Sequence, residues 1–266
     1  MPRLSDAQFD TTRPSIARVY DALLGGKDNF AVDREMAQQM IDNVPGARDA
    51  ALMNRAALAR AVRYLTQAGV GQFVDLGSGL PTQENVHQVA QRHLPSARVV
   101  YVDNDPIVLS HGRALLASND TTTVIAADIL EPGKVLGNSD LKELIDFSQP
   151  VAVMMCGILH HIPDSDDPKG IVARYRDMLP SGSYLFITQL CDNGSVGSAE
   201  LKRIGRAQSF PGALRTLAEI GEFFAGWELV EPGVVYLPLW RPDGPVRPES
   251  MLTEHEQLHA GGLGRK

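Results

Sequence analysis

The chain lacks most of the residue patterns that mark specialised chemistry. It has two cysteines in 266 residues. Cys156 and Cys191 form no CxxC pair and no disulfide framework, and their apolar flanks predict reduced, buried thiols. No HExxH pattern and no Cys/His cluster with ligand spacing occurs, so no metal site is expected. No apolar run approaches the length of a membrane span, and the opening MPRLSDAQFDTTRP has no apolar signal core. A cytoplasmic protein without a membrane partner is expected. Positive charge is also scarce: 25 Lys and Arg against 32 Asp and Glu leave a net charge of −7. Nucleic acid is therefore not an expected partner, because its backbone is bound through clustered cations.

The remaining composition is ordinary. With 44% hydrophobic and 21% charged residues, the chain can bury one large α/β core, with or without a helical appendage. No internal repeat or low-complexity tract is visible, and monomer and homodimer both stay open.

Three helices are predicted before any strand. The first starts at Pro14 and carries Ile16, Val19, Tyr20, Leu23 and Leu24 at helical spacing, ending at Gly25-Gly26. The second runs from about Asp33 to Asn43, and the third from about Ala47 to Ala68. Residues 1–70 are read as a helical cap or lid, and 71–266 as the second unit. From Gln72 the rhythm becomes strand, turn, helix. QFVDL, ARVVYVD, TVIAAD, PVAVMMC and SYLFITQL are apolar strands without polar alternation, as in a parallel sheet covered on both faces. Helices are expected around 84–93, 106–118, 140–147, 167–178, 198–207 and 216–224. WELVEPGVVYLPLW reads as a strand broken at Pro232-Gly233, RPDGPVRPE as a loop, and EQLHAGGLGRK as a final edge strand. The fold class is thus α/β, a Rossmann-like, mostly parallel sheet with helices on both faces.

The strongest local signal is the turn Asp75-Leu76-Gly77-Ser78-Gly79. Glycines here let the backbone bend sharply and come close to a ligand. Position 82 is Thr, so the dinucleotide pattern GxGxxG is not met. Asp75 would repel a pyrophosphate but suits the cationic amino-acid portion of S-adenosylmethionine. Asp103, ending the second strand, can accept both ribose hydroxyls, and Asn104 can line the adenine pocket. Asp105 followed by Pro106 reads instead as a helix cap. Asp128, with Ile129 beside it, ends the third strand where a carboxylate could accept from the adenine amino group; capping the next turn is its structural alternative. After the fourth strand, Cys156 and Gly157 would cover the sulfonium. His160 or His161 could act as general base near neutral pH, although packing or a backbone hydrogen bond is the commoner fate of such a histidine.

Through DLGSG, YVDND, AADIL and CGILHHIPD the sequence resembles class I S-adenosylmethionine-dependent methyltransferases. PSIARVYDALLGGKDNFAVDRE at 14–35, FVDLGSGLPTQENVHQVA at 73–90, VVYVDNDPIVL at 99–109, WELVEPGVV at 227–235 and the terminal GLGRK narrow this further. They resemble an actinobacterial family of S-adenosyl methyltransferases once counted as a domain of unknown function. The resemblance implies a seven-stranded sheet with an N-terminal helical extension, S-adenosylmethionine as cofactor and S-adenosylhomocysteine as product. It supplies no acceptor. The turn Gly25–Phe30 bunches Lys27, Asp28 and Asn29, which with Tyr20 could close over the cofactor or simply cap helix ends.

The expected activity is methyl transfer by direct displacement to a small-molecule acceptor. A sensor that binds the cofactor or its product without turnover is the alternative, distinguished by whether an acceptor-sized cavity adjoins the methyl group. A nicotinamide-dependent oxidoreductase is the third reading, counted against by the absent third glycine.

Overall fold

The computed structural model describes residues 10–81, 84–116, 120–208, 210 and 212–266. Most of the polar start, and the end of the helix expected over 106–118, lie outside the described residues. Three helices come first: α1 (Ile16–Leu23), α2 (Ala31–Asn43) and α3 (Ala47–Gln67). The second begins two residues ahead of Asp33 because the Asp33 carboxylate reaches back to the N–H of Phe30 at 2.8 Å, closing the first turn.

Strands and helices then alternate: β1 (Gln72–Leu76), α4 (Val86–His93), β2 (Arg98–Asp103), α5 (Pro106–Leu116), β3 (Thr122–Ala126), α6 (Pro132–Leu136), α7 (Ser139–Leu144), β4 (Ala152–Cys156), α8 (Pro168–Met178) and β5 (Tyr184–Leu190). After them come α9 (Val196–Ala207), α10 (Leu217–Gly221), β6 (Glu228–Leu229), β7 (Val235–Tyr236) and β8 (His259–Arg265). The sheet order is β3-β2-β1-β4-β5-β8-β6, with β7 also paired to β8. β1 to β5 are parallel and β8 is antiparallel.

Successive side chains of a strand point to opposite faces, and here each face has its own core. Val74, Val100, Val153, Met155 and Ile187 pack on the side of α8. Phe73, Val99, Met154 and Phe186 pack on the other side, against Leu58, Ala61 and Leu65 of α3. Both faces are covered, which is why these strands read as continuous apolar runs. α3 is consequently part of the sheet's outer layer, while α1 and α2 sit beyond it in a core shared with Leu201 and Ile204 of α9.

Two expectations change at the carboxyl-terminal end. The last strand is not an edge: β8 pairs with β5 on one side and with β6 and β7 on the other. Its glycines make this possible, since a Cβ at Gly261 would lie 2.3 Å from the Ile187 carbonyl oxygen. The expected strand over 227–240 does break around Pro232-Gly233, but its two pieces, β6 and β7, are only two residues each and are followed by a 3₁₀ turn at Leu237–Leu239. Among the described residues no helix is long and apolar enough to cross a membrane.

Strand order sets the position of the site. The chain proceeds outward from β1 to β3, then returns to place β4 beside β1. Connections leaving β1 and β4 therefore diverge, and a crevice opens above their carboxyl ends.

Candidate active site

The turn after β1 is fixed from below: the N–H groups of Gly77 and Ser78 donate to the Val102 carbonyl at 2.8 and 3.2 Å. Both glycines have positive φ, +69° at Gly77 and +64° at Gly79, a region L side chains rarely tolerate. Their surroundings differ. A Cβ on Gly77 would fall 2.6 Å from Cγ1 of Ile158, in the loop after β4. A Cβ on Gly79 would meet nothing within 4 Å. Only Gly79 therefore turns a bare face to open space; Gly77 is needed for packing.

Two of the three expected carboxylates meet in this crevice. Asp75 is buried at its wall, and burial, reinforced by the neighbouring Asp103 charge and opposed by Arg55, pushes its carboxyl up to about 7. Asp103 accepts the N–H of Gly79 through Oδ2 and that of Asp105 through Oδ1, both at 2.9 Å. Burial raises its pKa while these two N–H bonds hold it down. Ser78 and Asn104 share the same wall. Asp105 accepts the Ile107 N–H at 2.8 Å, the cap its sequence predicts, and its other oxygen accepts the hydroxyl of Ser15 at 3.0 Å, tying the entry to α1 onto the sheet.

Asp128 is placed differently. Its Oδ1 accepts the N–H of Leu130 at 2.9 Å, a local turn, and neither Asp128 nor Ile129 belongs to the cavity wall. Ile129 instead packs against the α8-side core, and its carbonyl accepts the Tyr175 hydroxyl at 3.1 Å. Tyr20 does reach the cavity, with its hydroxyl donating to the Ala51 carbonyl at 3.2 Å and accepting from Asn54 at 3.0 Å. Asn29 does not: its amide donates to Asp21 at 2.7 Å, and Asp21 also accepts the Asp28 N–H. The Gly25–Phe30 turn is thus fastened inward on Asp21.

Beyond β4 the wall continues through Cys156, Gly157 and Ile158. Burial raises the Cys156 thiol well above its ordinary range, which leaves it a protonated side chain rather than a nucleophile. Gly157 has φ +71°, with the Asn54 amide 3.2 Å from where a Cβ would stand. Asn54 in turn accepts the Thr188 hydroxyl at 2.5 Å, so β5, α3 and α1 are joined by one chain of polar contacts.

Both expected histidines line the cavity. His160 accepts the Leu190 N–H at Nδ1, 3.2 Å away, so its neutral ring carries the proton at Nε2. Burial, with His161, His259 and Arg215 nearby, keeps its pKa well below the usual value. Burial also lowers His161 to about 4. A third imidazole, His259 at the start of β8, stands 6.4 Å from His160, ring to ring, and burial lowers it to about 4 as well.

These residues surround one cavity of about 620 Å³, a normal size for a small-molecule site. One end holds Asp75, Gly79, Asp103 and Arg55; the other is walled by apolar side chains of α2, α3 and α9. Sequence reasoning missed Asn54, Arg55 and His259. Asn54 left a signal, being a polar residue on the helical stripe of Ala50, Ala57, Leu58 and Ala61. His259 left none, since only the pairing of β8 with β5 brings it here. Among the described residues no group of three or more His, Cys, Asp or Glu is placed to hold a metal ion.

Comparison with known proteins shows the family and the fold. A crystal structure of a proposed methyltransferase from Thermobifida fusca YX is 50% identical, with a TM-score of 0.93 over 100% of this chain and 99% of that one. A DUF574 family protein from Streptomyces avermitilis MA-4680 is 39% identical, with a TM-score of 0.91 over 97% and 100% of the two chains. At 14% identity the N-methyltransferase NodS from Bradyrhizobium japonicum WM9 has a TM-score of 0.50 over 83% and 98%, a likeness of fold. No curated protein matches the chain. The family described as S-adenosyl methyltransferase matches residues 3–266. The chain belongs to that S-adenosyl methyltransferase family.

Proposed function

We propose that the protein transfers a methyl group from S-adenosylmethionine to a small-molecule acceptor bound in the same cavity. The observation that carries this reading is the cavity's continuity, from Asp103 and Gly79 past Ile158 into the chamber between α2, α3 and α9. A cofactor sensor needs no second chamber.

The residues present fit the cofactor. Open space above Gly79 leaves room against bare backbone. Asp103 uses one lone pair on each oxygen for a backbone N–H, which leaves others for ribose hydroxyls. Asn104 stands beside them for the adenine. Asp75, buried with a raised pKa, gains from a cationic neighbour, and Arg55 offers a positive charge to a carboxylate. When bound, S-adenosylmethionine supplies an electrophilic methyl group on a sulfonium, whose sulfur keeps the bonding pair as S-adenosylhomocysteine forms.

The protein's share is chiefly positioning, which replaces a bimolecular encounter by an aligned one. Burial keeps His160 and His161 neutral, so they orient the acceptor by hydrogen bonds, and the proton that a hydroxyl acceptor loses passes on to solvent water. Helices α1 and α2 form the lid, locked together by the buried Arg18–Asp33 pair at 2.8 Å, and α3 forms the floor. A crystal soaked with S-adenosylmethionine tests the assignment. Ribose density at Asp103, with the methyl carbon facing the chamber, is expected; a ligand lodged elsewhere, or a methyl group sealed from the chamber, contradicts it.

A further inference from the structure

The chamber beyond Ile158 has a composition that specifies what it accepts. Its walls include Met36, Met40, Val44, Leu201, Ile204 and Phe210. The polar groups set into this apolar lining include three imidazoles, with His160 and His161 rings 4.2 Å apart and His259 6.4 Å from His160; Tyr20 and Asn54, which also line it, are already hydrogen-bonded to each other. His259 is 5% exposed, and its Nδ1 has no hydrogen-bond partner among the described residues. Nearby charges are already matched: Lys202 pairs with Asp192 at 2.9 Å, and Arg215, outside the wall, with Asp164 at 2.7 Å. Arg206 is exposed at the rim.

We propose that this chamber binds an uncharged, mostly apolar acceptor bearing a hydroxyl group, held through that hydroxyl by the cluster of His160, His161 and His259. The identification of the ligand as an acceptor rests on the methyl-transfer reading; the ligand preference of the chamber is a property of its walls. Three neutral rings offer both kinds of hydrogen-bond partner: Nε2–H of His160 donates, and an unprotonated nitrogen of His161 or His259 accepts. A hydroxyl is both donor and acceptor and satisfies such a set. A carboxylate has no proton to give, and its burial would demand a charged ring in a place where burial keeps all three neutral. A plain hydrocarbon would fill the apolar walls but leave the rings unsatisfied.

The test uses the full chain and three probes of one shape: 2-naphthol, naphthalene and 2-naphthoate, titrated by fluorescence at pH 7.5 with saturating S-adenosylhomocysteine and without it. Naphthol is expected to bind at least ~10-fold more tightly than either of the others. His259→Phe should reduce naphthol affinity about 10-fold, with naphthalene affinity and the S-adenosylhomocysteine affinity unchanged. His161→Phe gives the same comparison in a second variant should the first fail to fold. Equal binding of naphthoate and naphthol, a naphthol preference untouched by both substitutions, or no binding of any probe overturns the proposal. Loss of S-adenosylhomocysteine binding with the naphthol preference intact would sink the methyl-transfer reading while upholding the chamber's ligand class.

Discussion

The carboxylate of Asp103 accepts the backbone N–H of Gly79 at 2.9 Å. The tip of β2 and the glycine turn after β1 are therefore one hydrogen-bonded unit, and a ligand at either must adjust to both. Asp103→Ala removes the proposed ribose acceptor and the partner of the Gly79 N–H together. Affinity for S-adenosylhomocysteine should fall by about 1.5–3 kcal/mol, the range for hydrogen bonds to a charged group. Calorimetry on the folded variant measures this, and unchanged affinity would remove the role assigned to Asp103.

The two glycines of the turn should fail in different ways. Gly79→Ala adds a methyl group in open space at a φ of +64°, so the variant should fold, lose about 1–2 kcal/mol to backbone strain, and bind the cofactor poorly. Gly77→Ala drives a methyl group into Ile158, so its stability should drop further than that of Gly79→Ala. Urea midpoints paired with cofactor titrations separate the two; equal stability losses would contradict the packing role of Gly77.

Asp75 should give cofactor affinity a pH dependence. With its carboxyl raised to about 7, the side chain is largely protonated at pH 6 and must release that proton to pair with a cationic ligand. Affinity for S-adenosylmethionine should climb up to ~10-fold per unit as pH rises toward 7, then level off. Asp75→Asn should flatten the profile. A profile of the wild-type protein that is flat between pH 6 and 8 would refute the pairing.

The histidine cluster predicts sensitivity to acid. His259 has a pKa of about 4 in the folded protein against an ordinary 6.5, so the unfolded chain binds the extra proton first. Its contribution to stability is complete above pH 6.5 and is lost as pH falls toward 4, on the order of 3 kcal/mol for this ring. Asp75 works in the opposite direction over the same window, since its raised pKa favours the folded state at low pH. A comparison with His259→Phe isolates the one ring: the variant should lose less stability than the wild type between pH 7 and pH 5. Identical losses in urea melts would show that His259 does not titrate as described.

Tyr20 links α1 to α3 through Asn54. Tyr20→Phe leaves a buried amide without its acceptor, which should cost about 1–3 kcal/mol. Thermal melts check the stability, and faster proteolysis within α1 would mark the loosened contact; an unchanged melting temperature would contradict the linking role of Tyr20.

Much of this site was legible from the residues because parallel strands covered on both faces must be apolar throughout. QFVDL, RVVYVD and AVMMC therefore announced themselves, and with them the positions of Asp75, Asp103 and Cys156 at strand ends. Asp128 looked the same in sequence, yet its carboxylate closes a local turn at Leu130. A strand-ending Asp does not reveal in sequence whether its carboxylate lines the cavity, as Asp103 does, or stands outside its wall and caps a turn, as Asp128 does. EQLHAGGLGRK reads as an edge strand, whereas β8 lies inside the sheet, where its glycines allow close approach to β5. His259 was invisible because its place beside His160 depends on the long-range pairing of β8 with β5.

The direct test of the account is a calorimetric titration of the wild-type protein with S-adenosylhomocysteine at pH 8. Saturable binding at one site per chain, with a matching rise in melting temperature, is the predicted result. No heat and no thermal shift from a protein whose circular dichroism shows it folded would contradict the claim that Asp75, Gly79 and Asp103 form an adenosyl site.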